Sequence, residues 1–276
     1  MQSPFEHVLV GVDFSPAWPF LERRLARLHA LGVRRLTLVH VISPRDIARP
    51  GEAELADARQ RLDRQAAALA EMGLEVDCDV SSGAPSEQLA RLAAHHRADL
   101  VLLGRQGHGL LHRLLIGSTA LNLTRLTPCP LWLEPLNDTG KHGVSPTIML
   151  ATDGSCAAGH AERCFARLCE HFDRRVAVIA TQSLKDDAFS VGQARQHLEH
   201  MTRHVAKLDF ELVDGAPTEA LLSRLDAWQA ELLVLGQRGH GALRERLLGS
   251  TAQALVEKAP CPVLLVPAQP VTLPEP

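Results

Sequence analysis

The chain has 276 residues, enough for one large domain or two small ones. Hydrophobic residues make up 46% and charged residues 22%, and 29 Lys and Arg against 32 Asp and Glu leave a net charge of -3. This composition excludes a disordered chain, a collagen and a coiled coil, and it offers neither the basic footprint nor, with 4% aromatics and no tyrosine, the stacking surface of a nucleic-acid binder.

In chain order, short Val/Leu-rich runs predict strands at residues 8–12, 35–42, 75–80, 99–103 and 131–134. Amphipathic stretches between them predict helices at 19–31, 54–72, 85–95 and 118–125, the first two closed by Gly32 and Gly73. The scheme then starts again, with strands expected at 147–152, 176–181, 210–213, 231–235 and 263–266. Alternating strands and helices imply a parallel sheet covered by helices, with ligands held beyond the carboxyl ends of the strands.

The second half repeats the first. Residues 103–135 and 235–267 align without a gap, with 17 of 33 positions identical. Gly83-Ala84-Pro85 matches Gly215-Ala216-Pro217 in the same register, and the segment ending in Asp13 matches the one ending in Asp153. Copy one carries eight extra residues, expected between residues 48 and 60. The period is far longer than a solenoid unit, so this is a duplicated domain. The expected division is residues 1–136, a polar linker at 137–145, and residues 146–276.

Each fourth strand runs into a glycine constellation. Copy one has Gly104, Gly107 and, nine residues further, Gly117-Ser118 where a helix opens. Copy two has Gly236, Gly239 and Gly249-Ser250 at the same spacing. Glycines let successive amides face one point, and a helix N-terminus favours an anion. No lysine follows as in a Walker A loop, so neutralisation would fall to amides, a divalent ion, Arg105 or Arg238. The competing possibility is that the glycines only make turns and that Ser118 and Ser250 are helix caps. Asp13-Phe14-Ser15 and Asp153-Gly154-Ser155 likewise suit either a ribose or metal contact or an Asx-turn.

The pattern G-x2-G-x9-G-S after a strand, with an Asp ending strand one, resembles the ATP-binding branch of the universal stress protein family, and two such copies resemble its tandem members. The resemblance implies two Rossmann-like domains of the adenine nucleotide alpha hydrolase type, each with a five-stranded parallel sheet, paired as a pseudo-dimer through their last strands. It implies ATP with Mg²⁺ as ligand, a possible homodimer and an unidentified protein partner. By the same resemblance Asp13 and Asp153 lie near the adenosine or its metal. Val41 offers its backbone to the adenine edge, where copy two has Thr181. Gly104, Gly107, Gly117 and Ser118, with Gly236, Gly239, Gly249 and Ser250, meet ribose and phosphates, and Thr119 and Thr251 could add an amide or hydroxyl. Copy one keeps Val41 as well as its glycines and is the better nucleotide candidate, with occupancy of both open. The alternatives are a slow ATPase or phosphotransferase on the same sites, or a scaffold for AMP or another small ligand. No nucleophile and base grouping is legible, so no catalytic residue is assigned.

Three further features have a functional and a structural reading. His108 and His240 sit in equivalent Gly-His-Gly loops and are expected to be solvated. His197, His200 and His204 fall on one face of a predicted helix with a spacing that can ligate zinc, but Arg195, Glu199 and Arg203 around them favour a solvated face. Residues 21–31 form a basic amphipathic helix, expected to pack on the sheet with its arginines outward. Among the six cysteines there is no CxxC pair, and Cys129 and Cys261 are expected as buried strand-start residues. No run reaches the roughly 18 apolar residues of a membrane span. The N-terminus lacks a basic, then apolar, leader, so a cytoplasmic location with reduced thiols is expected.

Overall fold

The structure, a computed structural model, describes residues 4–16, 18–47, 49–106, 116–135, 146–181, 188–205, 207–239 and 248–268, with the side chains of 181 and 188–190 aside. The chain divides into two units, residues 1–137 with 271–276, and residues 138–270.

In the first unit the elements are β1 (His7–Gly11), α1 (Trp18–Ala30), β2 (Arg35–Ile42), α2 (Glu52–Ala70), β3 (Glu75–Ser82), α3 (Pro85–His95), β4 (Leu100–Gly104), α4 (Ser118–Leu126) and β5 (Leu131–Glu134). All strand pairs are parallel and run in the order β3-β2-β1-β4-β5. The second unit has β6 (Thr147–Thr152), α5 (Gly159–Leu168), β7 (Arg174–Thr181), α6 (Ala188–Met201), β8 (Asp209–Asp214), α7 (Pro217–Ala227), β9 (Leu232–Gly236), α8 (Ser250–Lys258) and β10 (Val263–Val266). Its order, β8-β7-β6-β9-β10, is the same. The α/β fold with a helix-covered parallel sheet in each copy is therefore as the repeat predicts. α2 has 19 residues and α6 has 14, so the longer helix takes up part of the extra length of copy one.

Central strands are apolar at nearly every position because both faces are covered. Val8, Leu9 and Val10 of β1 and Leu100, Val101 and Leu102 of β4 are fully buried, as are Ile148, Met149 and Leu150 of β6 and Leu233 and Val234 of β9. β3 and β8, at the sheet margins of their units, are only partly buried. Gly32 and Gly73 end α1 and α2 in the left-handed region, as their C-cap role requires. The Glu54 carboxylate accepts the Gly51 N–H at 2.9 Å, half of a capping box that starts α2.

One side chain departs from its expected face. Leu21, Leu25 and Leu28 of α1 are buried as the amphipathic pattern requires, but Arg24 turns inward. Its guanidinium grips Glu134 with both arms, at 2.8 and 3.1 Å, while the Trp132 indole N–H donates to the same carboxylate at 2.9 Å. Glu134 at the end of β5 is buried, and a buried carboxylate needs such partners. Cys261 is buried, but Cys129 is only half-buried. Desolvation pushes the Cys129, Cys164 and Cys169 thiols up to about 12 and Cys78 to about 11. These four are poor nucleophiles at neutral pH.

At the start of β1 a second polar group is buried. Arg35 donates to Nδ1 of His7 at 3.1 Å, so Nε2 carries the proton and donates to the Thr37 hydroxyl at 2.8 Å. Burial and then the Arg35 charge hold the His7 pKa below the usual histidine range, against the opposing pull of Asp99. The unfolded chain therefore takes up this proton first as pH falls. The stability His7 contributes is complete above the ordinary histidine pKa of about 6.5 and is lost as pH drops below it. Thermal unfolding between pH 7.5 and 5 is expected to show a steeper loss of melting temperature in the wild type than in His7→Gln, which cannot titrate.

Candidate functional site

Parallel pairing brings the ends of β1, β2 and β4 to one edge, and those of β6, β7 and β9 to the equivalent edge of the second unit. The candidate residues hang from these ends. Gly104 and Gly236 are the last residues of β4 and β9. The next residue is tied to the neighbouring strand: the Arg105 N–H donates to the Glu134 carbonyl at 2.7 Å and the Gln237 N–H to the Val266 carbonyl at 2.8 Å. The carbonyls of these same residues then accept the N–H of the distant glycine, Gly117 on Arg105 at 2.8 Å and Gly249 on Gln237 at 3.1 Å. Two short hydrogen bonds thus bring the last glycine of each set back to the residue that follows the first.

Gly117 and Gly249 themselves cap α4 and α8, with φ near -60° and ψ of 145°. Ser118 and Ser250 are therefore the first helical residues and not the caps, and neither cap position makes a side-chain hydrogen bond. Both serines are exposed, with Thr119 and Thr251 partly so, at the turn whose amides have no partner within the helix. Among the described residues nothing demands glycine at 249. Its φ suits any residue, and an added Cβ would stand 3.6 Å from the nearest atom, the Gln237 carbonyl oxygen, in ordinary contact.

Strand one of each copy ends in the same turn. Asp13 Oδ1 accepts the Ser15 N–H and Asp153 Oδ1 accepts the Ser155 N–H, each at 3.0 Å. The Asx-turn is thus real in both copies, and it leaves the other carboxylate oxygen to face elsewhere. In copy two that oxygen, Asp153 Oδ2, lies against Gly239, where a Cβ would overlap it. The central turn residue has positive φ in both, 56° at Phe14 and 70° at Gly154. Phe14 offsets its strained backbone with a stack: its ring centroid is 4.3 Å from that of His40, and the Arg61 guanidinium lies 4.0 Å from it. His40 Nδ1 donates to the Val12 carbonyl at 2.8 Å. Val41 follows, half-buried near the end of β2, and Thr181 ends β7.

Gly107, His108 and His240 lie outside the described residues. The histidine face of copy two is not one helical face, because α6 stops at Met201 and His204 sits in the turn beyond it. His197 bonds to Glu162 at 3.0 Å and His204 approaches Glu170 at 3.4 Å, while His200 is exposed. Among the described residues no group of three or more His, Cys, Asp or Glu side chains is placed to hold a metal ion. Likewise, no helix there is long and apolar enough to cross a membrane. Residues that sequence reasoning missed are Glu162, Thr152 and Arg61. Only Glu162 carried a signal, an acid set in the apolar stripe of α5 beside Ala161 and Phe165.

The sequence profile of the Universal stress protein family matches residues 4–134 and 146–267. The chain belongs to the universal stress protein family. A universal stress protein of Mycolicibacterium smegmatis is 27% identical over 96% of this chain and 99% of its own length. One from Thermus aquaticus is 35% identical over 44% of this chain and 97% of its own. Among solved structures, a universal stress protein from Archaeoglobus fulgidus superposes with a TM-score of 0.77 at 16% identity, covering 97% of this chain and all of the other. Two universal stress protein domains in tandem are thus established, with the stress-response role of the family.

The contact between Asp153 and Gly239 is open to a direct check. Gly239→Ala would force the carboxylate out of its turn and is expected to destabilise the second unit by about 1–3 kcal/mol. Gly192→Ala, in α6 with nothing within 4 Å of its added Cβ, is expected to stabilise by about 0.5–1 kcal/mol. Urea unfolding of the two variants measures both.

Proposed function

We propose that this tandem universal stress protein binds ATP, with Mg²⁺, in one or both domains, and that occupancy biases pairing of the domains or docking of a partner protein. The observation that carries the reading is Gly249. Neither its backbone conformation nor its packing requires glycine, yet both copies keep glycine at this position, ahead of an exposed serine and the open amides of a helix. A residue without a side chain at that point leaves room for something outside the protein, and the amides favour an anion.

The donor set fits a nucleotide. In domain 2 Gly249 would leave room for phosphates, held by the amides at Ser250 and Thr251 and the hydroxyl of Ser250. Gly236 and Gly239 would line the ribose, and Asp153 would hold a ribose hydroxyl or the metal. The Thr181 backbone would meet the base. In domain 1 the same roles fall to Gly117, Ser118 and Thr119, to Gly104 and Gly107, to Asp13 and to Val41. Bound ATP supplies a polyanion and an adenosine of distinct chemistry. The protein's part is to prefer one conformation when it is held, which requires different affinity in two states.

Calorimetric titration of nucleotide-stripped protein with ATP and Mg²⁺ tests this. Gly117→Asp and Gly249→Asp suit the purpose, since aspartate is a good helix cap and repels phosphate. Micromolar binding is expected, with each substitution removing the site it occupies. At ATP about 100-fold above Kd, a folded domain gains about 2.7 kcal/mol, visible as a thermal shift. No heat and no shift would overturn the nucleotide reading.

A further inference from the structure

Glu162 is 3% exposed in the apolar stripe of α5, and such a burial is tolerable only with partners on both oxygens. Oε1 accepts the Thr152 hydroxyl at 2.7 Å, and Oε2 accepts Nδ1–H of His197 on α6 at 3.0 Å. Thr152 is the last residue of β6 and is itself buried. Its single hydroxyl proton goes to Glu162, so its oxygen is turned to accept, and it takes the Gly154 N–H at 3.1 Å. Gly154 is the centre of the turn that aims Asp153 at Gly239. A continuous chain therefore runs from α6 to the glycine loop through His197, Glu162, Thr152, Gly154 and Asp153. Domain 1 has Val12 in the place of Thr152 and so has no such chain.

We propose that Glu162 and Thr152 are positioning residues of the domain 2 site, fixing the Asp153 turn and carrying the seating of α6 to it through His197. This rests on the nucleotide reading of that site. The fixed acceptor matters because the Gly154 amide sits in a left-handed turn. Without the Thr152 oxygen, that amide and the Asp153 carboxylate before it lose their common reference to the sheet.

Thr152→Val removes the hydroxyl at nearly constant shape, and Thr152→Ser restores it. In the ligand-free full-length protein, exchange of the Gly154 amide is expected to speed about tenfold in Thr152→Val and to return near wild type in Thr152→Ser. Glu162→Leu should follow the valine variant. Glu162→Gln, which keeps an acceptor for Thr152, should follow the serine one. In a Gly117→Asp background, where ATP reports on domain 2, Thr152→Val is expected to weaken binding about tenfold, with rescue by serine. In a Gly249→Asp background, domain 1 affinity should not change with residue 152. Wild-type exchange at Gly154 in the valine variant overturns the hydrogen-bond chain. Faster exchange with unchanged domain 2 affinity overturns the positioning role. Absence of ATP binding in the Gly117→Asp protein before any change at 152 instead overturns the nucleotide reading of domain 2, and the positioning role with it.

Discussion

Parallel pairing of β1 with β4, and of β6 with β9, is the constraint from which each site follows. Parallel strands all end at one edge, so the turn after strand one and the loop after strand four are neighbours though nearly a hundred residues separate them in sequence. In domain 2 the result is a carboxylate pressed on a glycine: Asp153 against Gly239. The sheet also sets the reach of the glycine loop. Gln237 gives its N–H to β10 and its carbonyl to Gly249, so one residue anchors the loop to the sheet and closes it. Arg105 does the same in domain 1. The helix N-terminus that follows is aimed by these two backbone bonds, whatever its side chains are. That explains why the spacing of the glycines is kept in both copies.

The strands, their order of appearance and the glycine spacing were legible because they depend on local pattern and on repetition. A strand buried on both faces announces itself as an apolar run, and a duplicated motif is its own control. What was not legible depends on partners distant in sequence. Arg24 reads as an outward residue on a basic helix until Glu134, at the far end of the unit, turns out to be buried beside it. The alternative that Ser118 and Ser250 are caps does not hold, because the glycine before each already takes the cap position. His204 fits a helical spacing that the chain abandons at Met201. For Arg24 and His204 the cause is the same: a polar group was assigned to solvent or to its own helix when it has a tertiary partner, Glu134 and Glu170 respectively.

The two copies meet the same backbone demand by different chemistry. Both need a positive φ after the strand-one aspartate, and only Gly154 adopts it freely. At Phe14 the left-handed conformation costs roughly 1–3 kcal/mol, which must be offset by the surroundings. The Arg61 guanidinium, 4.0 Å from the ring centroid, and the His40 ring, 4.3 Å from it, both pack on the Phe14 ring. The stack belongs to the turn and not to an open platform.

That difference extends to the helix after strand two. In domain 1 this helix, α2, reaches the aspartate turn through the Arg61 guanidinium on an aromatic face, an attraction that tolerates sliding across that face. In domain 2 its counterpart, α6, reaches the turn through His197, Glu162 and Thr152, three directional hydrogen bonds with a buried carboxylate at their centre. An aromatic stack yields gradually as a helix shifts. A buried charge does not, because loss of one partner exposes the full cost of desolvation. The same fold therefore couples the same helix to the same turn softly in one domain and stiffly in the other. With Glu162 and Thr152 positioning the turn as proposed, a displacement of this helix reaches the aspartate in domain 2 along that chain, whereas domain 1, with Val12 in place of Thr152, has no counterpart to it.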